Sequence, residues 1–248
     1  MKESLRDYFK KLYRIGISDR EMKKPIYRFI AFEKLLEIII NRQIQLIKPK
    51  LWEDPFENYL SKCNIFLNQR SADFTSLQEM IFGQCWTLKS ESDALWRIYS
   101  PDKKGIRIKT TLHKLDDAVY QTGQSFIGKV NYSTKDVMMK HFSAITDANE
   151  LSNSMRQIET YLWKRKEFEH EQEIRVLNVI DTKSIDLAIN HKNFYVDPNS
   201  FIEEICFDSR MDWQIEKIYI EPIKALGYFG RISKSNLYSF EPVTINLK

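Results

Sequence analysis

The sequence predicts a mixed α+β fold with a split, mostly antiparallel sheet surrounded by helices, and three observations predict it. Residues Cys85 to Thr111 pack a strand, a helix and a second strand into one segment. Residues 134 to 168 carry two helical stretches, one through Val137, Met138 and Phe142 and one through Met155, Ile158 and Leu162. At Glu171 the apolar period then changes from that of a helix to that of a strand. The 248 residues are expected to form one domain, 1–248: an N-terminal helical segment over 1–24, then an α+β body over 25–248 with a helical insertion at about 134–168.

Taken in order, Leu5, Tyr8, Phe9 and Leu12 fall at helical spacing and predict a helix over 3–15. Pro25 opens a new element, a strand over Ile26–Phe29, followed by a helix through Phe32, Leu35, Leu36 and Ile39 to about Asn41. A short strand follows at Gln45–Ile47. Cys85–Leu88 reads as a strand, Ser90 as an N-cap with Glu91 and Asp93 in the first helical turn, and Ser100-Pro101 as the stop after Tyr99. Ile106 and Ile108 alternate with Arg107 and Lys109, the pattern of a strand with one buried face. Glu171 to Ile180 reads as a central strand, with Glu171, Glu173, Arg175, Leu177 and Val179 on one face and Ile174, Val176 and Ile180 on the other. Towards the C-terminus, Ile202–Phe207 predicts a strand and Trp213–Tyr219 a helix, and Leu237–Phe240 is expected to close the sheet.

Composition excludes several classes. With 43% hydrophobic and 29% charged residues, 7 Gly and 7 Pro, this is an ordinary globular chain with little room for linkers. A net charge of +4 is compatible with an anionic ligand or a nucleic acid without arguing for either. The charged N-terminus is unlike a signal peptide, and the longest apolar run, Leu35–Ile40, is too short to span a bilayer, so a soluble cytoplasmic protein with no membrane association is expected. Cys63, Cys85 and Cys206 are widely spaced with no CxxC pair, against both a disulfide framework and a structural zinc site. The chain holds neither a GxGxxG fingerprint nor a P-loop, which argues against Rossmann and P-loop enzymes.

Several residues invite a functional reading beside a plain one. Arg28 sits in an apolar strand, so it either reaches solvent or points into a cleft towards an anionic partner. Trp86, Trp96 and Tyr99 either fill the core or stack on a flat ligand. Asp54 and Glu57 either cap a helix or join a metal site. Glu171 and Glu173, two apart on a strand, would lie about 7 Å apart, one with a raised pKa while Arg175 holds the other ionised; the alternative is a surface ion pair. Lys164-Arg165-Lys166 is either a solvated helix end or, with Arg107 and Lys109, a basic rim suited to nucleic acid. His141 and His170 read as solvated helix residues.

Together, Tyr27-Arg28-Phe29, Asp54-Pro55-Phe56-Glu57, Cys85-Trp86-Thr87 with Leu95-Trp96 and Gly105, and Glu171-x-Glu173-x-Arg175 resemble a large bacterial family known only as a domain of unknown function. The order of these motifs is similar to that of ADP-ribosyltransferases. That resemblance implies an ADP-ribosyltransferase-like split sheet, NAD as cofactor, and transfer of ADP-ribose to a macromolecule, nucleic acid or protein, by an intracellular toxin or phage-defence effector with a neutralising antitoxin protein as partner. It implies that Glu173 is the catalytic glutamate and Glu171 the carboxylate that handles the acceptor, and that Arg28 holds the NAD ribose or phosphate. Tyr27, Trp86, Thr87, Trp96, Tyr99 and Arg175 would complete the cofactor site, with no metal. The pattern departs from the usual Ser-Thr-Ser triplet, which here is Trp86-Thr87-Leu88. A metal-dependent nuclease built from Asp54, Glu57, Glu171 and Glu173, and a non-enzymatic binding module, are the competing classes.

Overall fold

A computed structural model describes residues 13–54, 56–57, 62–67, 70–72, 79–120, 124–145, 147, 154–180 and 188–246. They fall into two compact units. The first spans 1–26, 43–89 and 111–196, and the second 27–42, 90–110 and 197–248. Both are mixed α+β, and most of their strand pairings are antiparallel.

In the first unit the central strand is Glu173–Val179, antiparallel to Ile81–Thr87 on one side and to Gln124–Lys129 on the other. All but its last residue are buried, as expected for a strand covered on both faces. Gln43–Ile47 touches the Ile81–Thr87 strand at Gly83 and pairs along its length with His191–Tyr195. Gly83 is fixed by space, because a Cβ there would meet the Trp52 ring at 2.7 Å and Leu177 at 2.9 Å. Ile81, Phe126, Ile158, Tyr161, Leu162 and Leu177 form the apolar core beside this sheet.

Two expectations are corrected here at their ends. The helix over 3–15 lies mostly outside the described residues; its last two residues, Arg14–Ile15, are a strand parallel to Gln124–Lys129. The insertion does contain two helices, Lys135–Ser143 and Ser154–Thr160, the first capped by Thr134, which accepts from the Val137 amide. The basic run, however, is not a helix end. Trp163–Arg165 is a strand parallel to Asn131–Ser133, and a 3-10 turn over Lys166–Glu171 follows.

In the second unit the strand that continues from Tyr27 to Ile30 neighbours the one over 106–110, which is antiparallel to Glu204–Phe207, and Arg231–Lys234 runs parallel to the latter. Helix Phe32–Asn41 buries Leu35, Ile38 and Ile39, close to the periodicity read from sequence. The helix expected from Ser90 begins two residues later, because Ser92 is the residue whose hydroxyl accepts from the Leu95 amide. Leu237–Phe240 forms no strand; Arg231–Lys234 takes the sheet position instead.

Candidate active site

The strand Glu173–Val179 begins where the chain leaves a tight turn. Gln172 adopts a left-handed backbone, φ 45°, so Glu171 belongs to the turn and not to the strand. The expected two-apart strand geometry is therefore replaced by a bend, and the bend lets both carboxylates reach one lysine. Lys164 Nζ donates to Glu171 Oε2 at 2.5 Å and to Glu173 Oε1 at 2.8 Å, and lies 3.2 Å from Glu57 Oε1. Arg175 holds the other side. Its Nε donates to Glu173 Oε2 at 2.7 Å, Nη1 to the Tyr161 carbonyl at 2.7 Å, and Nη2 to Glu57.

This cluster is largely closed to solvent. Glu173 is 7% exposed and Arg175 not at all, and the arginine lies over the Trp52 ring with 4.6 Å to its centroid. The Glu173 amide donates to the Tyr132 hydroxyl oxygen at 2.7 Å, and Thr87 donates its hydroxyl proton to the Glu171 carbonyl at 2.5 Å. Backbone position and side-chain position of both glutamates are thus fixed from several directions.

Charges in so dry a place must balance, since a buried charge without a partner is costly. Three carboxylates, Glu57, Glu171 and Glu173, face two cations, Lys164 and Arg175. A proton supplies the difference. Burial, with the hydrogen bond and charge of Glu173, pushes the Glu171 carboxyl up to about 7. Burial also works against the Glu173 anion, but Arg175, the hydrogen bond to Glu171 and Lys164 outweigh it and hold Glu173 down to about 2. Glu173 is thus the carboxyl held ionised, and Glu171 is the one that takes a proton more readily.

Neighbouring groups are held neutral. Burial and the charge of Glu173 push the Tyr132 phenol above its ordinary range, and burial with the same carboxylate raises the Cys85 thiol far above neutrality, so Cys85 is not a nucleophile. The residues that follow Glu57, where Asp54 and Glu57 were expected to cap a helix, lie outside the described residues; Asp54 Oδ1 accepts from the Phe56 amide at 3.0 Å and from Arg165 at 3.1 Å, while Glu57 turns inward. For the nuclease reading, Glu57, Glu171 and Glu173 do converge, yet Lys164 and Arg175 fill the space between them. Among the described residues no group of three or more His, Cys, Asp or Glu side chains could hold a metal ion.

Of the residues singled out from sequence, the first unit brings together Glu171, Glu173, Arg175 and Thr87. Arg175 spends its donors on protein groups, so it positions Glu173 and presents none of them to a cofactor. Trp86 lies in the core, its Nε1 donating to Gln84 at 2.8 Å. Tyr27, Arg28, Trp96 and Tyr99 belong to the second unit. Trp96 is wholly buried, edge-on to Phe29, so its ring is closed to a stacking ligand; Tyr99 is exposed and stacks on Phe29 at 6.0 Å. Tyr27 is buried under Arg107, and Arg28 is half-buried. The basic rim is not formed as expected, because Lys164 is buried among carboxylates and Arg107 is buried against Glu204 at 3.2 Å. Sequence reasoning missed Tyr132, placed Glu57 with Glu171 and Glu173 only in the nuclease alternative, and gave Lys164 only to a basic rim. For Lys164 the available signal was strand alternation, which turns it away from the faces of Trp163 and Arg165.

Residues 95–176 match the family described as "Protein of unknown function (DUF2971)". The match includes Tyr132, Lys164, Glu171, Glu173 and Arg175, and meets the expectation of a family of unknown function over that span. It leaves out Arg28, Glu57 and Trp86. No curated protein matches the chain. Among solved structures, the chain is similar to Thermus sp. 2.9 DarT in complex with NAD+, at 12% identity and a TM-score of 0.42 over 88% of this chain and 98% of that one. It is also similar to Thermus sp. 2.9 DarT in complex with ADP-ribosylated ssDNA, at 14% identity and a TM-score of 0.41 over 88% and 97%. Likeness at this level transfers no residue role. Among the described residues no helix is long and apolar enough to cross a membrane.

Proposed function

We propose that the chain is an NAD-dependent ADP-ribosyltransferase acting on a macromolecule, nucleic acid or protein, as an intracellular toxin or phage-defence effector. The observation that carries this reading is the unequal pair at the head of the central strand: Glu173 held ionised by its bonds to Arg175 and Lys164, and Glu171 beside it with its carboxyl pushed upward by burial and by Glu173. The motif order in the sequence supports the same choice. A substrate NAD would supply an ADP-ribosyl group whose bond to nicotinamide breaks with the electron pair leaving on nicotinamide, while an acceptor oxygen or nitrogen bonds to the freed carbon. The Glu173 carboxylate stabilises the positive charge that grows as that bond breaks, because a fixed anion in a dry site costs no reorganisation. The ionised fraction of Glu171, with a pKa near the working pH, takes the acceptor's proton. Lys164 and Arg175 keep the two carboxyls from exchanging roles. Arg28 and Tyr99 are assigned to NAD by resemblance alone.

To test this, labelled NAD is incubated with the protein and a cell extract, and the products are treated separately with ribonuclease, deoxyribonuclease and protease. Label should enter a macromolecule, and the enzyme that releases it names the acceptor class. Glu173→Gln should lower transfer by about two orders of magnitude while circular dichroism shows the fold retained. Unchanged transfer by that variant, or no transfer and no calorimetric NAD binding by the natural protein, would remove the assignment.

A further inference from the structure

The second unit carries an open strand edge. Arg231–Lys234 pairs with Glu204–Phe207 along one side and, among the described residues, with nothing along the other. Such an edge offers amide and carbonyl groups in register for an added strand. Helix Trp213–Ala225 runs beside it, tied to the strand by Lys234, whose Nζ lies 3.1 Å from Glu216 and donates to the Met211 carbonyl at 2.8 Å. Between strand and helix lies a groove of about 540 Å³ whose lining includes Ile220, Lys224, Tyr228, Phe229 and Ile232. Phe229 is 85% exposed at its mouth. Lys224 is an exposed cation in the helix's last turn, with no ion pair among the described residues.

The same chain carries a segment of matching chemistry. Phe240, Val243 and Ile245 stand 85%, 81% and 75% exposed, and Val243 and Ile245 alternate about Thr244 with the period of a strand that has one apolar face. Glu241 supplies an acid. Upstream, Ser235 donates to Glu91 Oε2 at 2.5 Å and the Tyr238 hydroxyl donates to Asp93, so the tail departs from that anchor and not along its own strand edge.

We propose that residues 240–246 of a second copy add as a strand to Arg231–Lys234, with Val243 and Ile245 entering the groove against Ile220 and Ile232 and Glu241 pairing with Lys224. Backbone bonds give the affinity and the alternate side chains give the register, the usual division of labour in strand addition. Reciprocal exchange of two tails closes a two-fold dimer.

Light scattering on the full chain over a concentration series tests this. A monomer–dimer equilibrium of roughly micromolar strength or weaker is expected, as befits a small interface. The double substitution Val243→Asp with Ile245→Asp should leave only monomer. Lys224→Glu and Glu241→Lys should each weaken the dimer, by roughly three- to fivefold, and the two together should restore it. All four positions are exposed, so the fold is not at stake, and circular dichroism verifies that. A chain monomeric at every concentration would leave the edge to a different protein and overturn the proposal. A dimer indifferent to the tail substitutions, or charge changes that fail to compensate, would overturn it equally.

Discussion

In the second unit Arg107 is buried against the Ser90 carbonyl at 2.8 Å, with Glu204 at 3.2 Å and Glu91 at 3.7 Å, and Arg231 approaches Glu204 from solvent at 3.1 Å. Two guanidinium groups there meet two carboxylates. In the first unit Lys164 and Arg175 meet three, Glu57, Glu171 and Glu173. The first unit's cluster is buried throughout, whereas Arg231 of the other is 74% exposed; both are built from strand residues and their neighbours, and the first unit's count leaves a negative charge over. The balanced cluster fastens a sheet. The unbalanced one needs a proton, and a proton needed near neutral pH can be moved. What separates the fastening from the candidate for chemistry is therefore whether a partner from solvent completes the count, as Arg231 does for Glu204 and as no cation does for Glu57, Glu171 and Glu173 among the described residues.

The largest effect expected from breaking this contrast is on stability. Arg175→Met would leave three buried carboxylates with Lys164 alone, and breaking a buried pair from one side costs about 3–5 kcal/mol. Urea denaturation should show that loss at pH 7. It should recover partly as the pH falls and the orphaned carboxylates take up protons.

A somewhat smaller effect concerns Glu171. Its folded pKa of about 7 exceeds the ordinary value of 4.5, so the folded protein binds the proton more tightly than the unfolded chain. Stability from this group is fully present below about 4.5 and is lost as pH rises through 7, on the order of 3 kcal/mol in total. Glu173 works oppositely, with its contribution present above 4.5 and lost as pH falls towards 2. The natural protein should thus lose stability between pH 5 and 7. Glu171→Gln should flatten that slope, and a slope that persists in the variant would place the proton elsewhere.

How far the sequence foretold this contrast can be seen residue by residue. The change of period at Glu171 located the central strand, and Arg175 was expected to hold one glutamate ionised while the other rose. Hydrophobic period is set by neighbours along the chain, so strands such as Pro25–Ile30 and helices such as Phe32–Asn41 were legible within a residue or two. The roles of Lys164 and Glu57 as buried partners of the other charges were not legible in this sense. Their partners lie elsewhere in the chain, and a basic run or an Asp-Pro-Phe-Glu loop looks the same from sequence whether it faces water or a cluster. The αL turn at Gln172 was equally hidden, since no glycine or asparagine marks it. Arg107 shows the converse error, because strand alternation assigned it to the exposed face while Glu204 and Glu91 draw it under cover.

The smallest effect lies in the second unit. Arg28→Lys keeps a charge and loses the planar fork of donors, so if Arg28 serves NAD the dissociation constant measured by calorimetry should rise about tenfold. An unchanged constant would return Arg28 to a purely structural place in its strand.

The central claim is that the first unit's surplus charge is met by a proton on Glu171 beside an anionic Glu173. Carbon-13 NMR of side-chain-labelled glutamate, assigned with Glu171→Gln and Glu173→Gln and titrated from pH 2 to 9 on the folded protein, measures it most directly. The expected result is one carboxyl with a midpoint near 7, lost in Glu171→Gln, and a second that stays ionised until about pH 2. Both carboxyls titrating together near 4.5 would contradict the account.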